Sequence, residues 1–181
     1  MRIVHADLQQ LLAKDLLPDV TAVPLGDLRS LRVKCTGAEG DVSFVRRVAQ
    51  GRLDIVGYEV RRRSGAGDAG PDVSNLLFDL PDILAGPPSG ASSGRKIVID
   101  APGEIAHTLI EGLDQAVTPA ELSTVDELDD DRLAALVDTL RECEVELSTT
   151  RRRLHERIDS IQGEIARRYR DGEASIDLLL N

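Results

Sequence analysis

The sequence predicts an all-α protein: an antiparallel two-helix coiled coil with additional short helices and a flexible central connection. Three observations carry that expectation. Leu28, Leu31, Cys35, Ala38, Val42, Val45, Ala49 and Val56 fall on a seven-residue repeat with apolar residues at both seam positions. Leu133, Leu136, Leu140, Cys143, Leu147, Leu154 and Ile161 form a second such seam further along the chain. Only two Phe, two Tyr and no Trp occur in 181 residues, so Leu, Val, Ile and Ala must supply the buried surface, as they do in helical bundles.

Taken in order, residues 6–17 (ADLQQLLAKDLL) read as a short amphipathic helix stopped by Pro18. The first long helix is expected over residues 27–63. Its Gly37, Gly40, Gly51 and Gly57 together cost roughly 3–4 kcal/mol against Ala, so tertiary packing must hold it. Gly37, Gly40 and Gly51 share a third face with Phe44, Val48 and Ile55, where small residues suggest the close approach of another helix. Residues 64–125 form a connection: a break at SGAGDAG, a short interrupted helix over 73–86, a mobile linker over 86–95, and a brief extended segment at KIVID. GEIAHTLIEGLD (103–114) has helical patterning, and Thr118-Pro119-Ala120-Glu121 is a helix-capping signature. The second long helix is expected over 126–171, with Asp126, Glu127, Asp129, Asp130 and Asp131 at its positive end and Gly172 as its stop. The whole chain, 1–181, reads as a single helical domain.

Beside the first seam runs a polar stripe. Glu39, Ser43, Arg46, Gln50 and Asp54 stand at steps of four, three, four and four, which places them on one face of a helix about 22 Å long. The same spacing returns 105 positions later in Glu144, Ser148, Arg151, His155 and Asp159. Glu39 lies three residues before seam residue Val42, and Glu144 three before Leu147, so the two stripes share one phase. Arg47 matches Arg152, and Arg52 matches Arg157. With the stripes aligned antiparallel, Glu39 lies beside Asp159 and Asp54 beside Glu144. Cys35 and Cys143 then sit at opposite ends, roughly 30 Å apart and too far to bond. Two such cysteines suit a reducing cytoplasm.

The composition excludes several classes of function. A net charge of −10 argues against general binding to DNA or RNA backbones. The start of the chain lacks the basic residues and apolar run of a signal peptide, and no stretch approaches a membrane span. His5, His107 and His155 are scattered without metal-ligand spacing, and no phosphate-cradling glycine loop or nucleophile elbow occurs. An enzyme is not expected, nor a cofactor. Arginine is nonetheless concentrated on the two repeats, which suits a compact anionic ligand; the bland reading is a solvated face of paired charges.

The stripe suits a guanine nucleotide. Arginine donates two parallel hydrogen bonds to the O6 and N7 edge of guanine. Asp and Glu accept from guanine N1–H and N2–H₂, while Ser and Gln serve phosphate or ribose oxygens. Antiparallel helices set two such groups about a pseudo-two-fold axis, matching a ligand with two guanines and its own two-fold symmetry.

A Glu-x₃-Ser-x₂-Arg-x₃-Gln-x₃-Asp pattern, duplicated on two helices, resembles the signature of the RsiG family of actinobacterial anti-sigma factors. Glu39, Ser43, Arg46, Gln50 and Asp54 match at every position. Glu144, Ser148, Arg151 and Asp159 match in the second copy, where His155 departs from the family's Gln. The resemblance implies an antiparallel coiled coil that binds two molecules of cyclic di-GMP through all ten residues. It also implies a WhiG-type sporulation sigma factor as partner, held inactive while the dinucleotide is abundant. Both repeats occur in one chain, so a monomer is expected apart from the sigma factor. The alternative is a structural coiled-coil adaptor that binds a protein partner without nucleotide.

Overall fold

A computed structural model of the protein describes residues 5–13, 19–65 and 102–172. Five α-helices appear among them: α1 (Ala6–Leu12), α2 (Leu25–Arg63), α3 (Glu104–Ala116), α4 (Pro119–Ser123) and α5 (Asp130–Arg170), with a 3₁₀ turn at Val20–Ala22. The expected all-α class is what the chain adopts. The expected helix over 73–86, the 86–95 linker and the KIVID segment lie outside the described residues.

Helices α2 and α5, of 39 and 41 residues, are each roughly 60 Å long and form the body of the molecule. They run antiparallel, because cross-helix partners descend on one helix as they climb on the other: Arg32 with Gln162, Arg46 with Glu144, and Arg63 with Asp130. Both seams are buried as the heptads require. Leu28, Cys35, Ala38, Val42, Val45, Ala49 and Val56 of α2 face Leu133, Leu136, Leu140, Cys143, Leu147, Leu154 and Ile161 of α5, all within 3 % of full burial. Leu31 is only partly buried. Cys35 and Cys143 are free, and burial pushes both thiols up, which leaves them unreactive.

The short helices are fastened by arginines from the long ones. Helix α1 stops at Leu12 rather than running to residue 17. Ala13 is extended, and the carbonyls of Leu12 and Ala13 accept from Arg153 (2.9 Å) and Arg157 (3.0 Å) of α5, which stand in for continued helix. Helix α3 buries Ala106, Leu109 and Leu113. Its start is tied to α2 by Gly103 N–H donating to Asp41 Oδ1 (2.8 Å), and its end by Arg52 donating to the Val117 carbonyl (3.0 Å) and pairing with Asp114. The close approach expected at Gly37, Gly40 and Gly51 is not found among the described residues. A Cβ at Gly103 would lie 2.5 Å from Asp41 Oδ2, whereas Gly37, Gly40 and Gly51 have open space around them.

Helix α4 carries the expected capping box: Thr118 Oγ1 accepts from Glu121 N–H, and the Glu121 carboxylate accepts from Thr118 N–H. Helix α5 begins at Asp130 rather than 126. Residues 124–127 form a turn, and Asp129 caps the helix by accepting from Arg132 N–H at 2.7 Å. Gly172, at φ 76°, follows its end as expected.

The 105-residue repeat extends well beyond the stripe. Helices α2 and α5 start 105 residues apart, at Leu25 and Asp130. Near their ends, buried Glu59 accepts from Arg62 and Arg63, and buried Glu164 accepts from Arg167 and Arg168. Each second arginine then reaches the segment before the other long helix. Arg63 donates to the Asp126 carbonyl (2.9 Å) and Arg168 to the Thr21 carbonyl (2.8 Å), equivalent positions in the two repeats. Paired arginines hold both carboxylates at about 2: at Glu59 the bonds from Arg62 and then Arg63 dominate, at Glu164 those from Arg167 and then Arg168. These twin clamps fix the two ends of the coil and make the molecule pseudo-two-fold symmetric.

Candidate functional site

All ten stripe residues lie on α2 and α5, and the symmetry crosses them. Glu39 and Ser43 of α2 meet Arg151 and His155 of α5, while Glu144 and Ser148 of α5 meet Arg46 and Gln50 of α2. The antiparallel register causes this: a residue on one helix faces not its own repeat partner but the other end of the opposite stripe.

In the first tetrad Ser43 Oγ donates to Glu39 Oε1 at 2.6 Å. Arg151 Nε reaches the same oxygen at 2.8 Å and Ser43 Oγ at 2.8 Å, and His155 Nε2 lies 3.2 Å from it. In the second, Glu144 Oε1 accepts from Ser148 Oγ (2.9 Å), Arg46 Nη1 (2.9 Å) and Gln50 Nε2 (3.3 Å). One carboxylate oxygen in each tetrad thus gathers a hydroxyl, a guanidinium and an amide or imidazole nitrogen. His155 occupies the place of Gln50 and reaches the equivalent oxygen, because an imidazole nitrogen one turn from Arg151 ends at nearly the position of an amide nitrogen.

The electrostatics follow from these partners. Burial acts first on Glu39 and opposes its charge, but the bonds from Ser43 and Arg151, with the nearby His155 and Arg151, win and hold its pKa below the usual carboxylate value. At Glu144 the Ser148 bond dominates, burial opposes it, and Arg46 and Gln50 add to it; the result is again a lowered pKa. Both groups are therefore carboxylates at neutral pH and accept hydrogen bonds only.

Asp54 and Asp159 stand apart from the tetrads. Both are exposed, and among the described residues neither makes a hydrogen bond or ion pair. Asp54 nonetheless shares a cleft of about 560 Å³ with Glu144 and Gln50, as the matched stripes required, and Leu53, Val145 and Arg141 also line it. Asp159 lies one turn beyond His155. The arrangement presents unused carboxylates at its margins and arginines held in place at its centre.

The sequence reading missed three features. The Glu59 and Glu164 clamps could have been found by carrying the 105-residue offset past Asp54. Arg141 has no stripe position and no counterpart in the first repeat, so periodicity was silent on it. The crosswise pairing needed the register of the coil. Among the described residues no group of His, Cys, Asp or Glu gathers as metal ligands, and no helix is long and apolar enough to cross a membrane.

Comparison with curated proteins found no match. A family model described as RsiG-like matches residues 14–84 and 119–181, about three quarters of the chain and both long helices. That family points to an anti-sigma-factor type of regulatory function, with a sigma factor as partner, rather than to catalysis. With the twin seams, the duplicated stripe and a family match across both, the chain belongs to the RsiG-like family.

Proposed function

We propose that the protein is a cytoplasmic anti-sigma factor that binds cyclic di-GMP on the flank of its coiled coil and, so loaded, sequesters a WhiG-type sporulation sigma factor. The observation that supports it best is the crossing of the two tetrads: one Glu, one Ser, one Arg and one amide-like donor gather twice, each time with both helices contributing. A ligand bound there bridges α2 and α5 and senses their register.

Binding on this reading is an exchange of partners. The Watson–Crick edge of guanine offers N1–H and N2–H₂ to Glu144 or Asp54, and its O6 and N7 accept from Arg46, which gives up part of its bond to Glu144. The pseudo-symmetric flank repeats these groups for a guanine of a second dinucleotide. A dinucleotide that contacts both the coil and the sigma factor strengthens their association by its difference in affinity for the joined and separate states. Late developmental genes are then released when the dinucleotide falls. The acidic protein does not bind nucleic acid directly and is monomeric apart from its partner.

One observation favours a second reading. Glu144 already accepts from three donors and Glu39 from two, with His155 3.2 Å away, as in a purely structural polar network, which fits an adaptor that binds protein alone. Isothermal titration separates the two. Cyclic di-GMP binds the wild type, cyclic di-AMP and GTP bind much more weakly, and Asp54→Ala abolishes binding with an unchanged circular dichroism spectrum. Equal behaviour of all three nucleotides, or no heat from any, favours the adaptor.

A further inference from the structure

The two half-sites differ where the repeat breaks. Around Glu144 the cleft of about 560 Å³ is lined by the stripe residues Gln50, Asp54 and Glu144 and, outside the stripe, by Leu53, Val145 and Arg141. Moving each of these last three by 105 residues gives the counterparts around Glu39. Leu53 becomes Ile158, an apolar residue of similar size. Val145 becomes Gly40 and Arg141 becomes Thr36, so one apolar side chain and one positive charge are missing. A Cβ placed on Gly40 would meet nothing within 4 Å, which marks the same place as open space in the other half-site.

Arg141 is also free to act. Its side chain is 67 % exposed, and its ion-pair partner, Asp138, lies on the same helix at 3.9 Å, a separation at which exposed pairs contribute little. It stands one turn before Glu144 and lines the same cleft. A guanidinium there matches a phosphodiester by two parallel hydrogen bonds, and Leu53 and Val145 give the base an apolar surface.

We infer that Arg141 is a nucleotide-binding residue of the Glu144 half-site, and that this half-site takes cyclic di-GMP before and more tightly than the Glu39 half-site. The inference rests on the nucleotide reading above and adds an order of filling and a residue outside the stripe. The first dinucleotide is held against Arg141, and the second enters a shallower site with Thr36, Gly40 and His155 in the corresponding places.

Titration calorimetry on the full chain tests it, with cyclic di-GMP as the probe. The wild type shows two binding steps, and Arg141→Ala weakens the tighter by about tenfold, the worth of one hydrogen bond to a charged group, while sparing the weaker. Arg141→Lys, which keeps the charge but loses the paired donors, falls between. Thr36→Arg with Gly40→Val supplies the missing side chains and strengthens the weaker step. Two equal steps, or two steps untouched by Arg141→Ala, overturn this inference and leave the nucleotide reading standing; absence of any binding by the wild type overturns both. Thermal melts of each variant separate lost binding from lost fold, since Arg141 and Thr36 are exposed.

Discussion

Replacing Arg46 by Ala distinguishes a ligand site from a structural network by two magnitudes that differ. In the free protein Arg46 makes one cross-helix ion pair, 2.9 Å to Glu144, with the side chains 27 % and 24 % exposed. Pairs of that kind stabilise by about 0–1 kcal/mol, because solvent screens the charges and two long side chains lose freedom. Glu144 keeps its bonds from Ser148 and Gln50 in the variant, so no carboxylate is left bare. The melting temperature should then fall by at most a few degrees. Towards guanine the same residue supplies a bidentate contact worth about 1–3 kcal/mol, which is roughly a 5- to 150-fold loss in affinity. The assays are a thermal melt and a calorimetric titration with cyclic di-GMP on the same preparation. A large drop in melting temperature, or unchanged affinity, would refute the assignment of Arg46 to the ligand.

Four further outcomes follow. Leu140→Ala empties a fully buried seam position and should cost about 2–5 kcal/mol in denaturant unfolding, far more than any stripe substitution. Gly103→Ala pushes a Cβ to 2.5 Å from Asp41 Oδ2 and should loosen α3, read as faster amide exchange in 104–116, whereas Gly51→Ala, in open space, should stabilise α2 by about 1 kcal/mol. Glu59 and Glu164, held at about 2 by their arginine pairs, together with the lowered Glu39 and Glu144, contribute stability that is fully present above the unfolded carboxylate range and is lost as pH falls from about 4.5 towards 2; melts at stepped pH should show a plateau above pH 5 and a decline below it. Arg168→Ala should release the segment around Thr21, and Arg63→Ala the segment around Asp126, each seen as local loss of exchange protection while the seam stays protected.

The long helices were legible because a heptad repeat is local: each seam residue announces its face through its neighbours three and four positions away, and every predicted seam residue except the partly buried Leu31 is buried as that rule requires. The stripe was legible for the same reason, and its duplication at 105 residues made the symmetry visible before any contact was known. What failed was whatever depends on a partner distant in sequence. Helix α1 ends at Leu12 because Arg153 and Arg157, about 140 residues away, take its last carbonyls. The glycines of α2 suggested a crowded face, yet the crowding falls at Gly103, where α3 meets Asp41. The start of α5 was a local miss instead: among several neighbouring acids it is Asp129 that accepts from Arg132 N–H, so the helix begins at Asp130. In the stripe itself the residue types were readable, but the pairing of Glu39 with Arg151 and His155, rather than with the expected Asp159, came only from the register of the coil.

Retention of the partner tests most directly whether the dinucleotide joins this coil to a sigma factor. Full-length protein immobilised and exposed to a WhiG-type sigma factor should hold it strongly with cyclic di-GMP present and release it when the nucleotide is washed out, while Asp54→Ala holds it weakly in both conditions. Retention of the sigma factor to the same extent with and without cyclic di-GMP would contradict the account.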